Sequence, residues 1–299
     1  HTLRRLRMCE FDGFDATTYN PSPGKKRRSR RYQSDNKTKG GPIKATAPIH
    51  KRTFKFGFEV PKNWKDILRL DGAAGNILWQ DAVKKEIAAL IFHQCFDFKS
   101  PNFKPSSEYQ FCRVHHVYTI RLDLTYKTRL VCDVSCVDPH GLSTRATVVK
   151  GVSVGLLDLI ADSQNLQVLC GDIGNAFIQA YTKEKIYTEC GSEFGSMEVS
   201  IAIIVHALYG LTTSAERFRT MLADFLRTLG FTPSRFDRDV WMRLRDDSTG
   251  YDYICTHVDD FKIVAKNPTS WVDRIAAIFL VKEHGPRSYY LGNDYTYHD

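Results

Sequence analysis

Two adjacent carboxylates, Asp259 and Asp260, stand between the runs Tyr251–His257 and Phe261–Ala265, which are rich in aromatic and β-branched residues. Apolar strand, acid pair, apolar strand predicts a β-hairpin with acid at its tip. Adjacent carboxylates repel, and a folded cleft holds such a pair comfortably when a cation neutralises it. A third acid, Asp172, follows the strand-like run 166–170 within Gly171-Asp172-Ile173-Gly174-Asn175-Ala176-Phe177. One Asp at a strand end facing a paired-Asp hairpin has the donors to hold two Mg²⁺ ions about 4 Å apart, an arrangement that serves phosphoryl transfer. An Asp pair taken alone is more often solvated turn chemistry. The surrounding segments therefore decide the matter.

Those segments form an ordered series. It opens with Phe56-Gly-Phe-Glu-Val-Pro-Lys and runs through Leu78-Trp79, Glu86 and Leu90 to Tyr126-Lys127-Thr128-Arg129-Leu130-Val131 and Thr147-Val148-Val149-Lys150. After the Asp172 segment come Lys185-Ile-Tyr187, Gly191-Ser-Glu-Phe-Gly195, Ala207-Leu-Tyr-Gly-Leu211, Leu229-Gly-Phe-Thr-Pro233 and Asp239-Val-Trp241. His257-Val-Asp-Asp260 and Tyr290-Leu-Gly292 close it. In order and spacing the series resembles the reverse transcriptase of copia-type LTR retrotransposons, over roughly residues 55–295. Several segments are most similar to copia-like elements of diatoms and other protists. A single piece such as Leu208-Tyr-Gly-Leu is weak; the combination is specific.

The resemblance implies an RNA-directed DNA polymerase that takes an RNA template, a DNA primer and dNTPs, with two Mg²⁺ ions, Mn²⁺ being an alternative. It implies Asp172 and Asp259 as metal ligands and catalytic residues, with Asp260 as the third acid. Lys127 and Arg129 alternate on a strand and so share one face; by resemblance they hold the triphosphate through charge-assisted contacts. Phe177 would pack under the sugar and exclude a 2′-hydroxyl, Gly210 would admit nucleotide or template close to backbone, and Leu291-Gly292 would grip the primer terminus. The bland alternatives are a core Phe, a solvated basic strand and turn glycines. The resemblance further implies a polyprotein with integrase upstream and RNase H downstream, working in a cytoplasmic virus-like particle with possible nuclear entry. Some positions depart from the family: His257 replaces a usual Tyr, Thr212-Thr213 replaces a Lys and a polar residue, and Ala215 replaces Pro or Gly. The segment after Arg129 also lacks its usual Gly. No metal ligand is lost.

These residues need elements to position them. Apolar periodicity predicts a helix over Asn76–Phe92 and another over Ser153–Gln164, leading into the Asp172 strand. Residues 108–137 read as β-structure. Thr213-Ser-Ala-Glu216 has the form of a capping box opening a helix that turns Phe218, Met221, Leu222, Phe225, Leu226 and Leu229 inward and closes at Gly230. Val240–Leu244 should pair with Tyr251–Val258, followed by a helix over Thr269–Lys282. The pattern is α+β. By resemblance it is a right-hand polymerase whose fingers occupy residues 56–160 and whose palm, an antiparallel sheet backed by helices, occupies 161–299, with the thumb largely beyond this chain.

Composition sets the outer limits. The 299 residues are 42% hydrophobic, enough for one or two domains with a core. No apolar run approaches the roughly 20 residues of a membrane span. Residues 1–55 hold 15 Lys and Arg against 4 Asp and Glu, a local +11 in a chain of net +8. That tail, with Lys25-Lys-Arg-Arg-Ser-Arg-Arg31 among prolines and glycines, has too little apolar surface to order itself. It reads as a linker, with non-specific nucleic-acid contact or nuclear import as the functional alternatives. Eight scattered cysteines fit reduced thiols. Cys132, Cys136 and His140 lack a fourth ligand for zinc. Two competing functions remain: a repurposed retroelement domain that binds nucleic acid or protein without catalysis, and an RNA-templated RNA polymerase.

Overall fold

The computed structural model describes residues 52–133, 137–138, 141–286, 289–291 and 293–294. Strands β1 (Thr53–Lys55) and β2 (Phe58–Val60) form a hairpin, so ordered pairing begins inside the stretch assigned to the basic tail. Helix α1 (Trp64–Ala74) starts where the Asn63 side chain accepts the Asp66 N–H at 3.0 Å, an N-cap. Its buried Asp71 in turn accepts the N–H groups of Trp79 and Gln80, so α1 caps α2 (Leu78–Phe92). Helix α2 forms where periodicity predicts it and buries Trp79, Ala82, Val83, Ile87 and Leu90, while Leu78, at its first position, is exposed.

Strands β3 (Phe96–Lys99) and β4 (Gln110–Phe111) precede a long hairpin of β5 (Val114–Ile120) and β6 (Tyr126–Cys132). Then come α3 (Gly151–Ser163), β7 (Gln167–Ile173), a 3₁₀ turn at Phe177–Gln179, β8 (Tyr181–Glu189) and β9 (Ile201–His206). The remainder is α4 (Ser214–Thr228), β10 (Thr232–Pro233), β11 (Val240–Leu244), β12 (Tyr251–His257), β13 (Asp260–Ala265), α5 (Pro268–Ala276), β14 (Val281–Gly285), β15 (Tyr289–Tyr290) and β16 (Asn293–Asp294).

The central sheet has the order β10-β11-β12-β13-β7-β14, every pair antiparallel. A second sheet runs β3-β9-β8-β4. Alternation along β13 and β7 decides what each face of the central sheet meets. Phe261, Ile263 and Ile173 join Phe218, Leu226, Trp271 and Ile275 of α4 and α5 in one core cluster. Val264 and Cys170 face the other way, against Val154, Leu157 and Ala161 of α3. Asp260 and Asp172 have the parity of that second face, and so does Lys262, which is fully buried and paired with Asp158 of α3. Helix α3 is further held at its start by Asp237, which accepts from the Lys150 N–H (2.9 Å) and the Ser153 hydroxyl (2.6 Å). Cys95, Cys112, Cys132, Cys170, Cys190 and Cys255 are buried and form no disulfide.

Two expectations are corrected. The capping box at the start of α4 does not form: Thr213 has helical φ/ψ, which an N-cap avoids. Its hydroxyl donates to Glu184 at 2.6 Å, while Glu216 accepts from Thr220. The helix expected over Thr269–Lys282 ends at Ala276, because Phe279 turns in against Phe218 and Phe225 and Val281 begins β14.

Candidate active site

The acid-tipped hairpin forms as its sequence predicts. Tyr253 through His257 of β12 pair with Val264 through Asp260 of β13, leaving Val258 and Asp259 as a two-residue turn. Val258 has φ 58°, a positive value at the first central position, as primed hairpin turns use. For a β-branched residue that conformation is strained, and such strain persists where the surroundings enforce it. Here the enforcement is visible. The Ile173 N–H donates to the Asp259 carbonyl at 2.8 Å, so β7 grips the turn from the side.

Asp172 and Asp260 are cross-strand partners. All three acids therefore share one corner of the sheet, half-buried, and no side-chain hydrogen bond or ion pair holds Asp172 or Asp259 among the described residues. Nor, among those residues, is any group of three His, Cys, Asp or Glu side chains arranged to hold a metal ion. Gly171, beside Asp172, lies under the Phe261 ring so closely that a Cβ there would collide with it. That contact packs β7 flush against β13.

Lys127 and Arg129 lie on β6 with the shared parity expected of them. Burial, followed by the charges of Arg129, Arg121 and Lys282, pushes the Lys127 ammonium down to about 8. Arg129 sits over the Tyr209 ring at 4.8 Å, and Tyr209 meets Phe177 at 5.2 Å between centroids. This chain of contacts runs from the basic strand to the half-buried Phe177, five residues beyond Asp172. Gly210 has φ 90°, and a Cβ there would collide with the Cys132 carbonyl, so β6 itself requires the glycine. Leu291 forms a β15–β16 turn with φ 48° and packs beside Tyr290 against the α3 core cluster. Gly292, Cys136 and His140 lie outside the described residues.

Residues 104–298 match the family described as reverse transcriptase (RNA-dependent DNA polymerase). The chain belongs to that family. Two curated relatives from Arabidopsis thaliana are named as retrovirus-related Pol polyproteins. The one from transposon RE1 is 26% identical over 227 residues and the one from transposon RE2 is 27% identical over 225. Each alignment covers 72% of this chain but 15% of the relative, so this reverse transcriptase domain spans a small part of such a polyprotein. Together they bear out the copia-type retrotransposon expectation. Among solved structures, the prototype foamy virus protease–reverse transcriptase aligns at TM-score 0.37 and 12% identity, covering 69% of this chain and 24% of that one. A foamy viral protease–reverse transcriptase in complex with double-stranded DNA aligns at TM-score 0.37 and 15% identity, covering 69% and 37%.

Three residues tied by contact or charge to Lys127, Arg129 or β7 carry no signal of their own in the sequence. Tyr209 was visible only as part of a weak tetrapeptide. Lys282 lies where β14 shifts register between Val281 and Glu283, a bulge that re-aims a side chain. Its aliphatic stem crosses Gly174. Glu86 of α2 feels the charges of Lys127, Arg129 and Lys282 together, and burial, the largest cause, raises its carboxyl above the ordinary range. A bulge and an inter-element charge cluster leave no local signature in sequence.

Proposed function

We propose that this domain is the catalytic core of an RNA-directed DNA polymerase that adds dNTPs to a primer 3′-hydroxyl. The observation that carries the reading is the register setting Asp260 opposite Asp172, with Asp259 in the turn that β7 grips. Carboxylates are hard oxygen donors suited to Mg²⁺ or Mn²⁺, and the half-buried Asp172 and Asp259, held by no ion pair among the described residues, fit such ions. Bound there, two divalent ions would lower the pKa of the primer hydroxyl and neutralise the leaving pyrophosphate.

The protein's own groups do the rest. Asp172 and Asp259 hold the ions, with Asp260 beside them, and the strained turn at Val258 fixes the direction in which Asp259 is presented. Lys127 and Arg129 bind the triphosphate, and Lys282 adds positive potential. Phe177, backed by Tyr209, closes the space below the sugar. Leu291 and Gly292 steady the primer end. Residues 56–160 would act as fingers and 161–299 as palm, inside a polyprotein that carries integrase before this domain and RNase H after it. The setting would be a cytoplasmic virus-like particle.

Extension of oligo(dT) on poly(rA) with dTTP or UTP tests the reading. Metal-dependent incorporation of dTTP in clear preference to UTP is expected, and Asp259→Asn should reduce it by at least ~10³-fold, as for loss of a catalytic metal rather than of one hydrogen bond. Equal use of UTP would indicate an RNA polymerase. No incorporation of either, with nucleic acid still bound, would indicate a non-catalytic binding module.

A further inference from the structure

Strand β6, which carries Lys127 and Arg129, pairs along its length with β5, and among the described residues its other side has a single parallel bridge, from Val131 to Tyr209. Antiparallel pairing turns every second N–H of such a strand away from its partner. On the open side the Cys132 N–H donates to the Tyr209 carbonyl at 2.8 Å. Two residues earlier, between Arg129 and Val131, the Leu130 N–H donates to Glu86 Oε1 at 3.1 Å. Glu86 belongs to α2, whose Trp79, Val83, Ile87 and Leu90 are buried in the same core cluster as Leu130. The acceptor therefore sits on a rigid element, and it holds β6 just before the bridge that Val131 makes with Tyr209.

The charges around this contact point the same way. Glu86 lies within the fields of Lys127, Arg129 and Lys282, and it is the acid that favours the charged form of Lys127. We propose that Glu86 is a positioning residue for substrate: by gripping Leu130 it sets the height and separation at which Lys127 and Arg129 meet the triphosphate. The proposal rests on the polymerase reading. It assigns Glu86 no contact with the nucleotide.

Steady-state extension at varied dTTP separates this role from general stability. Glu86→Ala removes the acceptor and should raise the KM for dTTP about tenfold with kcat within about threefold, the scale of one lost hydrogen bond. Glu86→Gln keeps an oxygen acceptor at the same reach and should return KM to within about threefold of wild type. An unchanged KM in Glu86→Ala would overturn the proposal, as would a loss confined to kcat or a Glu86→Gln as damaging as Glu86→Ala. Hydrogen exchange at the Leu130 amide reads the same contact without activity. Faster exchange at β6 in Glu86→Ala but not in Glu86→Gln supports the grip, whereas unchanged exchange, or acceleration throughout the chain, overturns it. A wild type that extends no primer would sink the polymerase reading alone, and the exchange measurement would still decide whether Glu86 positions β6.

Discussion

Lys127 carries a charge that most of its surroundings oppose. Partial burial is the largest cause, the neighbouring cations Arg129, Arg121 and Lys282 follow, and Glu86 alone works in the other direction. With a folded value of about 8, the ammonium is present at pH 7 and is lost as pH rises through 8. If it binds triphosphate, the KM for dTTP should climb between about pH 7 and 9 in wild type and stay nearly level in Lys127→Arg, whose guanidinium remains protonated. A wild-type KM that is flat across that range would remove Lys127 from the substrate site. The stability consequence has the opposite sense to that of a paired lysine. The folded value lies below the unfolded one near 10.5, so the unfolded chain binds more protons between the two, and this group's contribution favours folding increasingly as pH rises across that window. Lys127→Met should abolish that slope.

Among the elements, α3 is fastened to the central sheet by a charge rather than by packing alone. Lys262, two residues from Asp260, is fully buried and paired with Asp158, and its ammonium lies 5.9 Å from the Tyr290 ring. Removing Asp158 strands a fully buried ammonium, whereas removing the cation leaves Asp158, which is a third exposed and can be hydrated. Asp158→Ala should therefore destabilise by about 3 kcal/mol or more, and Lys262→Met by much less or not at all. Equal losses in urea midpoint for the two variants would refute the asymmetry, and midpoints equal to wild type in both would show that the pair does not bear on stability. The same elements show what sequence made legible. Strict apolar spacing announced α2 and α4, and the acid pair between two apolar runs announced β12 and β13, because in each the local pattern and the final burial agree. The start of α4 was misread because Glu184, 29 residues earlier in the chain, takes the Thr213 hydroxyl that a local cap would use. The end of α5 was misread because Phe279 answers to a tertiary core, not to helical periodicity. Acids at a turn could be found by their type, but the partners of Glu86 and Lys282 come from other elements and could not.

At the scale of the whole molecule, charge and topology each set a behaviour. The excess of cations lies in residues 1–55, while the rest of the chain is weakly acidic, so attraction to polyanions should reside mainly in the tail. Deleting residues 1–51 should weaken nucleic-acid binding at about 50 mM salt and flatten its salt dependence, with turnover of the saturated complex little changed. Identical binding isotherms with and without the tail would show it to be a spacer. Topology governs timing. Strand β7, which carries Asp172, has two neighbours in the sheet, β13 and β14, and both lie later in the chain. Its partner residue Asp260 follows Asp172 by 88 positions. At roughly 5–20 residues per second a ribosome needs several seconds to cover that span. Throughout it β7 has both edges unmatched, leaving its apolar Val168-Leu169-Cys170 run open to other strands. The acids share no corner until β13 arrives, so on the polymerase reading proposed above the site is completed in one late step, well after residues 1–51 have been synthesised.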